Sequence, residues 1–342
     1  MQKRRRVTIK DVAEECGLAL STVSNALTNK SYVTEKTRGR VQEVANRLGY
    51  RASAIARGLR MNKSLAIGVL VADVANLSVI ENLRGIDDVT TSEKFTVILC
   101  ITDGLQARQS MLMQTLRDRQ VDGMVLISQH CQPPEIRALL ADVPFVLMHR
   151  RSRDFPDPYV GQDNRQAVEL AIRHLVDFGH RRIAFVRGPP ESTTAQERLH
   201  AYWEMVHRYG LESDRSLAIA SDYGSEAGRL AAAAIFAKQP RPTAIVASND
   251  MNALGILEVA RERGIRVPED VSLVGADDIP FAAFSGVNLT TTKPPRRKMG
   301  ARAAAMLLRM IEGDDLTAEA HIFSNELIVR GSTGPAPRER KE

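Results

Sequence analysis

Thr8–Leu27 reads TIKDVAEECGLALSTVSNAL, and the spacing of its small residues decides how the first part of the chain folds. Ala13, Gly17 and Val23 lie four and then six residues apart, the separation two short helices need when they cross through a tight turn. Ala13 stands where the helices approach most closely, so a larger side chain would push them apart. Gly17 is the turn residue that accepts a positive φ without a Cβ clash. Val12, Val23 and Leu27 fill the space between the helices. Thr8 is placed to cap the first helix, with Asp11 completing a capping-box-like pair and setting negative charge at the positive end of the helix dipole. Leu20, Ser21, Ser24 and Asn25 then lie on the other side of the second helix, where they can face a DNA groove. The expectation is a helix-turn-helix.

Charge supports this reading. Residues 1–63 carry fourteen Lys and Arg against five Asp and Glu, a net of +9, whereas the rest of the chain holds 33 against 36, a net of −3. The positive charge is therefore local, as phosphate binding requires. A solvated basic tail would explain Lys3 to Arg6 alone but not a capped, periodic segment. A third helix is expected over Thr34–Leu48, capped by Thr34, with Val41, Val44, Ala45 and Leu48 on one face and Gly49 closing it in a left-handed conformation. Ala52–Met61 (ASAIARGLRM) has a narrow apolar stripe and is too short to be a stable helix alone.

Beyond residue 64 the pattern changes. Leu65–Asp73, Phe95–Cys100, Gly123–Ser128 and Phe145–Met148 are short apolar runs separated by helix-length stretches such as Ser78–Ser92 and Leu105–Arg119. Ile183–Arg187, Ser216–Ala220, Ala244–Ala247 and Ser272–Gly275 continue the alternation. This is βαβ patterning, and 342 residues accommodate two parallel-sheet lobes better than one. Nucleotide, zinc-protease, nucleophile-elbow and CxxC motifs are missing from the sequence. Three scattered cysteines suit a reducing cytosol and lack metal spacing. No apolar run approaches membrane length, and no apolar h-region follows the basic start. The chain is thus expected to be cytoplasmic and nucleoid-associated, with no metal, no cofactor and no catalysis.

The motifs VTIKDVAEECG, STVSNAL, YVTEKTRGRV and LGYRASAIARGL, in that order, resemble the lactose-repressor (LacI/GalR) family of bacterial transcription regulators. The likeness continues through DGMVLI (Asp122–Ile127), VGQDN (Val160–Asn164), HLVDFGHRRIAFV (His174–Val186), PTAIVASNDMNALGIL from Pro242, VPEDVSLVGADD from Val267, LTTT from Leu289 and ELIVRGST (Glu326–Thr333). It implies an all-α helix-turn-helix head over 1–50, a hinge helix over 51–63, and an α/β effector-binding and dimerisation domain of periplasmic-binding-protein fold over 64–334. Three chain crossings, near Asp163, Thr292 and Phe323, would make one lobe from 64–163 and 293–322 and the other from 164–292 and 323–334. Residues 335–342 (PAPRERKE) read as a disordered tail.

The resemblance also implies site residues. Leu20, Ser21 and Asn25 fall where family members touch bases, Asn25 being able to pair bidentately with adenine, and Thr22, Ser24 and Thr37 fall at phosphates. Ala19 replaces a usual capping Ser. Leu59 matches the leucine wedged into the minor groove, flanked by Arg57 and Arg60. Ala52 in place of a helix-starting Pro, and Gly58 inside the helix, imply a weakly folded hinge. For the effector the likeness points to Ser78, His149, Arg150, Ser192, Thr194, Arg198, Asn249 and Asp277. Asn76-Leu77-Ser78-Val79 replaces a common NPFF, so stacking rings are missing there. His149, where several members have Asp, with Arg150 following it, suggests added positive charge and a small anionic effector such as a sugar acid or sugar phosphate. Arg198 and Asp277 could instead form an interlobe ion pair. Trp203 reads as core. The implied protein is a homodimeric repressor on a near-palindromic operator; the alternative is a ligand-binding receptor whose head binds DNA non-specifically.

Overall fold

The computed structural model describes residues 7–50, 63–128, 134–151 and 156–337. The chain divides into two compact units, Met1–Ser64 and Leu65–Glu342.

The first unit holds α1 (Ile9–Cys16), α2 (Leu20–Leu27) and α3 (Glu35–Leu48). Thr8 and Asp11 form the reciprocal capping box, and Gly17 and Gly49 close α1 and α3 at φ 61° and 69°. Val12, Val23 and Val41 are fully buried among Ala13, Cys16, Ala26 and Ala45. Ala19 caps α2 with no side-chain hydrogen bond, leaving an amide in the first turn unsatisfied by the cap. Ala19→Ser is therefore expected to stabilise this unit by about 1 kcal/mol, measurable as a raised midpoint in thermal unfolding followed by helical circular dichroism. An unchanged or lowered midpoint would refute it.

The second unit contains two six-stranded sheets. The first is built from β1 (Ala66–Val71), β2 (Thr96–Ile101), β3 (Gly123–Ile127), β4 (Phe145–Met148), β5 (Tyr159–Gln162) and β11 (Ala320–Phe323), in the order β11-β5-β4-β3-β1-β2 and wholly parallel. The second orders β12 (Glu326–Ile328), β10 (Thr290–Lys293), β9 (Ser272–Ala276), β8 (Ala244–Val246), β6 (Ile183–Arg187) and β7 (Ala218–Ala220), parallel except for β10–β12. Helices α4 (Ser78–Ser92), α5 (Gln106–Asp118), α6 (Pro134–Leu140) and α11 (Arg296–Glu312) accompany the first sheet; α7 (Asn164–Asp177), α8 (Thr193–Arg208), α9 (Ser225–Phe236) and α10 (Asp250–Glu262) accompany the second. Both faces of each sheet are covered, so inner strands are continuously apolar. Ile67, Val69 and Val71 enter one core while Leu70 enters the other.

The chain changes sheet after β5, after β10 and after β11. Four strands were not foreseen. β10 is almost all threonine, buried because hydrogen bonds satisfy its hydroxyls: Thr291 Oγ1 donates to Asp250 Oδ1 at 2.6 Å, and Thr290 Oγ1 accepts from Arg330 N at 2.9 Å. β11 and β12 are half-exposed edge strands, and β5 is only four residues long. The expected strand from Ser216 starts later, at Ala218, because Asp214 accepts from Ser216 N and winds Arg215–Leu217 into a 3-10 turn. The tail needs a similar correction. Ala336 N donates to Phe178 O at 2.8 Å, which ties residue 336 to the fold. His180 explains part of this order: buried, it bonds Thr243, Ser272 and the Gly334 carbonyl, and burial lowers its pKa. It is a structural turn residue.

Candidate functional site

The head presents the residues the sequence singled out. Leu20 is 44% exposed and Ser21 is exposed at the start of α2; Thr22, Ser24 and Asn25 are partly exposed on the same helix. This exposed leucine, beside the buried Val23 and Ala26, has no part in the core of this unit. Thr37 sits in the first turn of α3, its hydroxyl 2.9 Å from Thr34 Oγ1. Arg57, Leu59 and Arg60 lie outside the described residues.

The second unit encloses a cleft of about 670 Å³ between its two sheets. Its walls come from the carboxyl ends of strands: Asp73 beyond β1, Ser128 beyond β3, His149 and Arg150 beyond β4, Gln162 ending β5, Tyr223 beyond β7, Asn249 beyond β8 and Asp277 beyond β9. Parallel sheets place ligand sites there, because the loops leaving strand ends are released from the ladder and carry side chains into the crevice. Ser78, His149, Arg150, Thr194, Arg198, Asn249 and Asp277 all line it. Ser192 does not. It is fully buried behind the wall as the N-cap of α8, its Oγ accepting from Ala195 N and lying 3.1 Å from the Tyr223 hydroxyl. Asn249 lines the cleft but is also committed, capping α10 through Oδ1 and donating to Tyr223 O.

Arg198 projects from α8 and is 7% exposed. Its Nε donates to Asn164 Oδ1 at 3.1 Å and its Nη1 to the Ser248 carbonyl. Asn164 is held in turn by Glu197, whose Oε2 accepts from its Nδ2 at 2.7 Å. The fork is thus aimed by a residue of the VGQDN motif. Asp277 does not meet Arg198. It forms a buried ion pair with Arg296 at the start of α11, so the pair joins the lobes at this point. Thr194 Oγ1, donating to His149 O at 2.8 Å, and Arg151, bonding Glu197 Oε1 at 3.0 Å, join them elsewhere.

His149 corrects an expectation. Burial above all, then the neighbouring charges of Arg296, Arg198 and Arg150, lowers its pKa well below the usual value. Geometry agrees: Asn82 Nδ2 lies 3.0 Å and Arg296 Nη1 3.4 Å from Nε2, so two donors converge on an acceptor nitrogen. His149 is neutral near pH 7 and adds no positive charge. Positive charge in the cleft comes from Arg150, Arg198 and Arg296.

Sequence reasoning missed Asn82, Gln162, Tyr223 and Arg296. Three of them carry buried atoms with no hydrogen-bond partner among the described residues: Asn82 Oδ1, Gln162 Oε1 and Arg296 Nε. Unpaired buried polar atoms are costly, and three of them share this cleft. Gln162 was legible inside VGQDN. Arg296 stood in an ordinary basic helix start, PPRRKMG, with nothing local to single it out. Tyr223 supplies a ring that the Asn76–Val79 segment lacks.

Among the described residues no group of acidic, His and Cys side chains is arranged to hold a metal, and no helix is long and apolar enough to cross a membrane. Residues 8–53 match the family of bacterial regulatory proteins of lacI type, and residues 172–333 match a periplasmic binding protein-like domain. The transcriptional repressor PurR of Vibrio atlanticus is 30% identical over 328 residues, covering 95% of this chain and 98% of its own. Catabolite control protein A of Priestia megaterium is 31% identical over 329 residues, covering 96% and 99%. A solved structure of the lac repressor dimer bound to operator and the anti-inducer ONPF superposes with a TM-score of 0.86 at 25% identity, covering 96% of this chain and all of that one. The PurR relative is a transcriptional repressor, and so is the protein of the operator-bound structure. The chain belongs to the LacI family of bacterial DNA-binding transcriptional regulators.

Proposed function

We propose that this regulator is a homodimeric repressor of a near-palindromic operator, controlled by a small polyhydroxylated acid held between its lobes. The observation that carries the effector class is the cleft floor. Asn82 Oδ1 and Gln162 Oε1 are open acceptors for hydroxyls, while Arg198 offers a fork for one carboxylate. Exposed carboxylates at the rim, Asp73, Glu191 and Asp222, disfavour a doubly charged phosphate and so favour a sugar acid. Leu20, Ser21 and Asn25 would read A·T pairs under α2, with Thr22, Ser24 and Thr37 on phosphates. Arg57, Leu59 and Arg60 would enter the minor groove at the operator centre. A two-fold operator calls for a two-fold protein, and the exposed rings of Phe281 and Phe284, 5.3 Å apart, support a pairing face.

Control follows from linkage. A ligand that bridges the lobes prefers one lobe arrangement, and operator affinity changes by its differential affinity for the two arrangements. Residues on this path bind and couple; none is assigned a catalytic step. The test selects bound duplexes from a random pool, then titrates the recovered site against neutral sugars, sugar acids and sugar phosphates. One pseudo-palindrome is expected, with affinity moved roughly 5- to 150-fold by a sugar acid and by nothing neutral. A tight response to neutral sugars would overturn the effector class, and enrichment of no shared sequence would overturn the operator reading.

A further inference from the structure

A second cavity, of about 750 Å³, lies within the lobe of the second sheet, against α8. Its apolar wall is a helical stripe of Leu199, Trp203 and Val206, whose i, i+4, i+7 spacing puts them on one face. Arg187, the last residue of β6, Arg215 in the 3-10 turn before β7, and His207 also line it. Among the described residues, no acidic side chain lines the cavity. The nearest carboxylates in sequence, Glu212 and Asp214, are already bonded to Arg182, at 2.6 and 3.0 Å. Arg187 Nε is buried and has no hydrogen-bond partner among the described residues. A buried guanidinium nitrogen left unpaired in a cavity whose wall also carries an indole calls for an acceptor that brings its own apolar body.

We propose that this cavity is a second small-molecule site, taking a monocyclic aromatic carboxylate with its charge on Arg187 and Arg215 and its ring against Trp203. Its position gives it leverage on the first cleft. Leu199 adjoins Arg198 on α8, so a ligand held against one face of this helix bears on the fork presented by the next residue. Trp203, read from sequence as core, is half-buried and packs edge-on against Tyr202 at 4.8 Å while its remaining surface lines this cavity.

The chain has a single tryptophan, so its emission reports on this cavity. Titration of the full-length protein with benzoate is expected to give a saturable change in Trp203 fluorescence. Arg187→Gln should weaken it at least about tenfold, the loss of a charge-assisted hydrogen bond. Arg215→Gln, at an exposed position, should weaken it about threefold with unaltered folding by circular dichroism. Neither arginine lines the first cleft, so these losses belong to the second. Three outcomes would overturn the proposal: no saturable change with benzoate, an equal response to benzyl alcohol, or affinity unaltered in both arginine variants. Displacement of benzoate by inorganic phosphate at equal concentration would refute the aromatic class.

Discussion

Asp277→Ala is expected to lower the stability of the 65–342 unit by about 3–5 kcal/mol, the loss seen when one partner of a buried ion pair is removed. The two side chains are 6% and 9% exposed, so solvent screens the pair little. Arg296 is already under-satisfied at Nε. Without Asp277 its charge would be left against His149, which burial holds neutral and which cannot compensate it. Asp277 also adopts φ 127°, a left-handed backbone that a non-glycine residue enters at a cost. The pair is thus maintained against local strain, as expected for a contact that holds Asp277 at the cleft. Urea unfolding of the single variant, with Asp277→Asn combined with Arg296→Met as the partner experiment, checks this. The double variant should recover most of the loss, because it leaves no unpaired charge. A loss below about 1 kcal/mol for Asp277→Ala would mean that the pair behaves like a surface salt bridge.

The second large effect concerns pH. Asp250 opens α10 beside Asn249, and burial, reinforced by the nearby charge of Asp277, pushes its pKa from 3.8 up to about 7. Thr291 Oγ1 and Ile279 N, at 2.6 and 2.9 Å, oppose the shift without cancelling it. Because the folded value lies above the unfolded one, the native state holds an extra proton between about pH 4 and pH 7. Stability therefore falls as pH rises through that window. The change for this one group is on the order of 4 kcal/mol if the full shift is realised. Asp250→Asn keeps the shape and lacks the titration. Wild type is expected to lose stability relative to Asp250→Asn from about pH 4 to about pH 7. A difference between the two proteins that stays flat across that range would refute the assignment.

The head was legible because everything that forms it is local. A capping box spans four residues, a turn glycine acts on its own backbone, and the buried valines recur with the period of the helix. Strands β1, β3 and β4 were legible for the same reason, since burial on both faces writes itself as a continuous apolar run. β10 was not, because its threonines are made suitable for the interior by Asp250 and Arg330, which lie about forty residues away in each direction. The cleft shows the same division. Arg198 and Asp277 could be named from motifs, but Arg296 could not, and motifs alone left open an ion pair between the first two.

By itself, then, the sequence determined a capped, positively charged helix-turn-helix joined to a parallel α/β chain, because hydrophobic periodicity, capping and charge are properties of neighbouring residues. Tertiary structure alone decided that Asp277 pairs with Arg296, that Ser192 caps a helix instead of facing the cleft, and that His149 is neutral. Each of those outcomes depends on which distant groups share a buried volume, and desolvation and pairing energies exist only once the fold has brought them together.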